Sequence, residues 1–205
     1  MSKELETARA LVKMLEERER SNKVKLESLK AGKTFCIGEN DYIVLEQHEG
    51  KTKVISKDFI AKHKKFADDT ADYETSELRK YTEAEIQPTI EEEVGAENLV
   101  EHTVSLTTVD GQNDYGELTC KVRPLTFDEA RKYNNLISDP DDDSSYTAGY
   151  WTCTAWSVPR RTGYETGNFV AYVTYNGMIE QNNPYWGYDV RLVCVLKSDI
   201  DVLVD

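Results

Sequence analysis

The sequence predicts an α+β domain: a mixed or antiparallel sheet with two flanking helices, set behind a separate N-terminal helix. Three observations predict it. Short runs of β-branched and aromatic residues recur over 34–56 and 150–196, divided by turns containing Gly and Asn. Two stretches between these runs open on helix-capping residues, Ser76 and Thr126. The first 22 residues follow a different period altogether. The chain therefore divides into a helix over 1–22 and a domain over 23–205.

In the N-terminal stretch, Leu5, Ala8, Val12 and Leu15 alternate spacings of three and four, as a coiled-coil seam does. Glu19 and Asn22 break the seam after about two heptads. A lone helix of this length is marginal in water, so it packs on the domain or pairs with other copies of the chain. Strands are predicted at Thr34 to Ile37, at Asp41 to Gln47 and, after a Glu49-Gly50 turn, at Thr52 to Ser56. Phe59 to Asp72 is polar and Lys-rich and reads as loop. A helix capped by Ser76 carries Leu78, Tyr81 and Ile86 on one side, is bent or restarted by Pro88, and ends at Gly95. Strands follow at Glu101 to Thr107 and Cys120 to Leu125. Thr126, with Glu129 three positions on, forms a capping box for a helix to about Leu136.

Residues 150–196 concentrate the aromatic chemistry, with all three tryptophans and six of the twelve tyrosines. Phe169, Ala171 and Val173 alternate, Asn176-Gly177 supplies a hairpin turn, and Val190, Leu192 and Cys194 resume the alternation. Trp151 and Trp156 lie in a strand-like segment and are expected in the core. The loops Ser157 to Asn168 and Glu180 to Tyr188 are rich in Tyr, Asn, Gly, Thr and Arg, a composition suited to recognition surfaces. Tyr164, Asn182, Tyr185, Trp186 and Tyr188 are expected to share one binding face, with Arg160 and Arg161 at its rim. The 185–188 loop has a competing reading, in which it packs on its own domain.

Composition narrows the function classes. The 205 residues carry a formal charge of −13, with 31% charged and 39% hydrophobic residues. Nucleic-acid binding needs clustered Lys and Arg, so direct binding of this kind is not expected. The acid excess reads as a solubility feature or as a surface that competes with nucleic acid for a basic partner, with Asp139-Pro140-Asp141-Asp142-Asp143 its densest run. No apolar run reaches the length of a membrane helix, and the charged N-terminus is unlike a secretory signal.

Cys36, Cys120, Cys153 and Cys194 are widely spaced and are expected as reduced thiols of a cytosolic chain. His48, His63 and His102 lack metal-ligand spacing, and no metal or other cofactor is expected. KAGKT lacks the first glycine and the spacer of a phosphate loop, and no motif of nucleophilic catalysis occurs. Arg191, in an otherwise apolar strand, must be held by an ion pair or by backbone carbonyls.

Four stretches carry a family resemblance: Ser76-Glu-Leu-Arg-Lys-Tyr81, KVRPLTFDEARKY over Lys121 to Tyr133, the Trp-rich strand Tyr150 to Ser157, and Gly187 to Leu196. Together they resemble an uncharacterised domain family common in Firmicutes and their phages, placed among the C-type-lectin-like folds. Thr82-Glu83 stands where that family has Leu-Asn, and Leu192 stands where it has proline. The family is similar in its C-terminal half to formylglycine-generating enzymes and to variable proteins of diversity-generating retroelements. Cys153 and Cys194 do not match the enzyme's catalytic cysteine pair. The resemblance implies a C-type-lectin-like domain that displays loop residues. The function expected is non-catalytic recognition of a protein or surface ligand, by a phage or prophage module in a virion or the host cytoplasm. The alternative is a small acidic inhibitor of a host defence protein or nuclease.

Overall fold

Strand β3 (Asn40–His48) is apolar at four consecutive positions, Tyr42-Ile43-Val44-Leu45, because it is covered on both faces. Tyr42 and Val44 face one core with Ile86, Ile90 and Val94. Ile43 and Leu45 face another with Ala130, Tyr133 and Ile137. The computed structural model describes residues 22–141, 148–159 and 168–204, and over these the chain is α+β. The expected helix over 1–22 lies outside the described residues, Asn22 apart.

β3 is central to an eight-stranded sheet. It pairs antiparallel with β2 (Thr34–Ile37) on one side and β4 (Lys51–Ser56) on the other. β4 pairs in turn with β14 (Val193–Lys197), which also carries β6 (Leu99–Val100) and β9 (Val122–Arg123). β1 (Lys23–Lys25) and β15 (Asp201–Leu203) complete it, so the first and last described strands lie side by side. A second sheet of five strands runs β12 (Ile179–Asn182), β11 (Val170–Thr174), β10 (Gly149–Ala155), β13 (Gly187–Val190), β5 (Ala61–Lys65). Its β10–β13 contact is parallel, and its other pairings are antiparallel. β7 (His102–Ser105) and β8 (Glu117–Cys120) form a separate hairpin. The structure thus builds two sheets and a hairpin where one sheet was expected.

Two helical segments flank the larger sheet. Ser76 Oγ accepts from Arg79 N at 3.0 Å and starts α1 (Glu77–Tyr81). A π-helical stretch at Thr82–Ile86 leads into α2 (Gln87–Val94). Pro88 has no N–H and its ring would meet the carbonyl four residues back, so the widened turn lets the helix restart there. Gly95, at φ +83°, ends it. α3 (Phe127–Ile137) has the capping box in full, with Thr126 Oγ1 accepting from Glu129 N and the Glu129 carboxylate accepting from Thr126 N. Thr154 Oγ1, from β10, accepts from Phe127 N and satisfies another of the helix's unpaired donors.

Two expectations are corrected. Phe59 to Asp72 is not loop: it holds β5, followed by buried Phe66, Ala67 and Ala71. The strand Ala61-Lys-His-Lys-Lys65 has no apolar alternation because it is a sheet edge, where lysines are favoured and only Ala61 is buried. Trp156 is only partly buried, packing edge-on to Phe127 with ring centroids 6.4 Å apart, whereas Trp151 is in the core as expected. No disulfide joins the four cysteines. Among the described residues no helix is long and apolar enough to cross a membrane.

Candidate functional site

β12 and β13 are joined by a tight turn, Asn183 to Trp186, closed by Trp186 N donating to Asn183 O at 3.1 Å. The turn is fixed from three sides. Pro184 O accepts from Phe66 N at 2.8 Å and Ala67 N at 3.1 Å, which ties it to the segment after β5. Asn182 Oδ1 accepts from Asn183 N, and Asn182 Nδ2 donates to Tyr188 Oη at 2.8 Å. Gly187 brings β13 against β5 so closely that a Cβ there would lie 3.1 Å from His63 O.

Tyr188 anchors the far end. Its ring stacks on Tyr172 with centroids 4.2 Å apart and meets the edge of Trp151 at 4.7 Å. Trp151 Nε1 in turn donates to Lys64 O at 2.8 Å. On this rigid base Tyr185 and Trp186 project outward, each 53% exposed. They are the most exposed large apolar side chains among the described residues, ahead of Met178 and Leu136.

The expected binding face is therefore corrected in part. Tyr188 is 3% exposed and belongs to the core, because the pairing of β13 with β5 turns its ring onto Trp151. Asn182 is half-buried and its amide is used within the turn, so it shapes the face without forming it. Tyr185 and Trp186 are on the surface. Tyr164, Arg160 and Arg161 lie outside the described residues. Asn168, at the described end of their loop, donates from Nδ2 to Asp69 O. That contact is two residues from Ala67, to which the Asn183–Trp186 turn is tied.

The densest charge lies elsewhere. Arg123, 1% exposed, donates from Nη1 to Glu129 Oε2 at 2.6 Å and from Nη2 to Oε1 at 2.8 Å. Lys53 Nζ lies 2.9 Å from both Glu129 Oε1 and Glu46 Oε1, and Lys132 closes on Glu46 from α3. Burial alone would raise both carboxyls. The Arg123 guanidinium holds Glu129 well below the usual carboxylate range, and Lys132 and Lys53 hold Glu46 at about 2. Each charge in this cluster faces an opposite one, and Glu129 is at once helix cap and counter-ion. Sequence reasoning found Glu129 through its capping box but not its partner, since Arg123 sits six residues earlier on another element.

Burial pushes the Cys153 and Cys194 thiols up to about 12, so neither is a thiolate at neutral pH. His102 is pulled down to about 4 by burial and by Arg123. Among the described residues no group of three or more His, Cys, Asp or Glu side chains is placed to hold a metal. Arg191 is a backbone clamp, one of its two expected arrangements: Nε donates to Ser56 O at 3.0 Å and Nη1 to Ile137 O at 2.7 Å. In comparisons with known proteins no family model matches the chain, and no curated protein or solved structure matches it significantly.

Proposed function

We propose that this chain is a non-catalytic binding module that recognises a protein through the surface around Tyr185 and Trp186. One observation carries the reading: two half-exposed aromatics stand on a turn whose backbone is already tied down by Phe66, Ala67, Asn182 and Tyr188. Aromatic side chains give large contact area at low entropic cost, and a fixed backbone removes most of the ordering penalty of binding. The anchorage of Asn168 at Asp69 supports adding the 160–167 loop, with Tyr164, Arg160 and Arg161, to the same face.

The C-type-lectin-like class and the N-terminal helix belong to this proposal, as does the phage or prophage setting. Support for the class is the arrangement of its C-terminal half, in which sheet strands hold loops rich in Tyr and Asn. The acidic-inhibitor reading rests on the charge of −13 and on the exposed Asp139 and Asp141. A capture experiment separates the two. Immobilised wild type and Tyr185→Ala/Trp186→Ala are exposed to bacterial lysate, with Asp139→Asn/Asp141→Asn as a third bait. Proteins retained by wild type and by the Asp variant, but not by the aromatic variant, support the proposal. Loss only with the Asp variant favours the inhibitor.

A further inference from the structure

A groove of about 550 Å³ lies at one end of the larger sheet, where β15 ends and β1 and β2 begin. Leu29 and Val204 give it an apolar lining, both partly buried against the main core, and Lys30 and Lys33 stand in its walls. One wall is already fixed by backbone bonds to β3: Gln47 Nε2 donates to Leu29 O at 3.0 Å, Gly32 N to Val44 O at 2.8 Å and Val44 N to Lys33 O at 3.0 Å. Gly32 carries this surface on to α3, since a Cβ there would lie 3.2 Å from Leu136 Cδ2. Leu136 is 37% exposed.

Chain path and charge both point to one occupant. Val204, in the lining, donates from N to Asn22 O at 3.0 Å, so residues 1–21 join the domain at the mouth of the groove. They carry the apolar seam Leu5, Ala8, Val12 and Leu15, which needs a partner surface. Lys30 and Lys33 form no ion pair among the described residues. After Leu15 the seam's next positions are Glu19 and Asn22. On a helix with Leu15 turned to the groove, Glu19 lies on the same face one turn nearer to Asn22, where the two lysines are. The residue that breaks the apolar seam is thus the one that the groove's charge calls for.

We propose that residues 1–21 dock as a helix in this groove of their own chain, with Val12 and Leu15 against Leu29 and Val204 and with Glu19 paired to Lys30 or Lys33. Leu136 is the adjoining apolar surface for Ala8 and Leu5. The docking rests on the helical reading of 1–21. Reach agrees with it: the seven residues from Leu15 to Asn22 span about 10 Å as a helix, the scale of a groove of about 550 Å³. Concentration favours the chain's own segment over that of a second copy. A segment tethered at the mouth is present at an effective concentration on the order of millimolar, about a thousandfold above a micromolar solution of chains. A seam of about two heptads also makes a weak helix pair by itself.

The test is NMR of the full chain, isotope-labelled throughout. Nuclear Overhauser contacts are expected between the methyls of Val12 or Leu15 and those of Leu29 or Val204. In an equal mixture of labelled and unlabelled chains, filtered for contacts between copies, they should be absent. Leu15→Asp should remove the contacts and shift the Leu29 and Val204 signals. Glu19→Lys should lower the docked-to-undocked ratio about two- to fivefold, and adding Lys30→Glu/Lys33→Glu to it should restore the ratio. The wild-type contacts decide even where a variant fails to fold. Helical backbone shifts over 5–19 without these contacts overturn the docking alone, and non-helical shifts overturn the helical reading with it. Contacts that persist between copies overturn the assignment to the chain's own segment.

Discussion

The Arg123–Glu129 cluster and the Asn183–Trp186 turn depart from the usual inside–outside arrangement in opposite directions. In the first, charges are buried; in the second, aromatic rings are exposed. Both departures attract attention as candidate sites, but their surroundings separate them. Arg123, Glu129, Lys53 and Glu46 form a chain in which each charge faces an opposite one, and Glu129 also caps α3. The charges there are neutralised within the cluster, although Arg123 Nε makes no hydrogen bond. At the turn the polar backbone is satisfied internally, while the rings of Tyr185 and Trp186 keep much of their surface in water. A strongly shifted pKa therefore marks structure in this protein, and it is the exposed apolar surface of the turn on which the proposed recognition rests.

The largest effect should come from breaking the buried cluster. Glu129→Gln leaves Arg123 buried without its anion and weakens the cap of α3, and is expected to cost about 3–5 kcal/mol by denaturant unfolding. A cost below about 1 kcal/mol would mean that water reaches Arg123 and the cluster is not closed. Tyr188→Ala comes next. Removing a ring packed on Trp151 and Tyr172 should cost about 3 kcal/mol. An unchanged stability would return Tyr188 to the binding face.

Acid should act on the buried cluster and its neighbours in two stages. His102 has its pKa depressed to about 4 by burial and Arg123, against about 6.5 when unfolded. The unfolded chain takes up that proton first, so stability falls as pH drops from about 6.5 towards 4, by about 3 kcal/mol once fully expressed. Glu46, held at about 2, contributes stability that is lost between about 4.5 and 2. His102→Gln should flatten the upper stage and leave the lower one, a result readable in urea midpoints at a series of pH values. An upper stage unchanged by His102→Gln would assign it to another group.

Local signals in the sequence located the elements well. The Ser76 and Thr126 caps, the Gly95 stop and the Asn176-Gly177 turn each state their own geometry, and each is found where it was expected. What was not legible depended on partners distant in sequence. β5 is a strand because β13 pairs with it, and its own residues, Ala-Lys-His-Lys-Lys, carry no strand period. Tyr185 and Tyr188 share one loop composition, yet only the β13–β5 register decides that Tyr188 turns inward. The charge on Arg123 could be read as buried only once β9 was seen against β14.

The smallest effect on stability is predicted where the account places its function. Tyr185→Ala and Trp186→Ala remove exposed rings from a turn held by its backbone, so each should change stability by no more than about 0.5 kcal/mol. Binding should respond far more, by about 2 kcal/mol or more for the ring at the centre of the contact. The most direct measurement is therefore paired: the melting temperature of Trp186→Ala, and its affinity for a protein captured by the wild-type chain. An unchanged melting temperature with affinity reduced about thirtyfold is the predicted result. An unfolded variant, or a folded one that binds its partner as tightly as wild type, would contradict it.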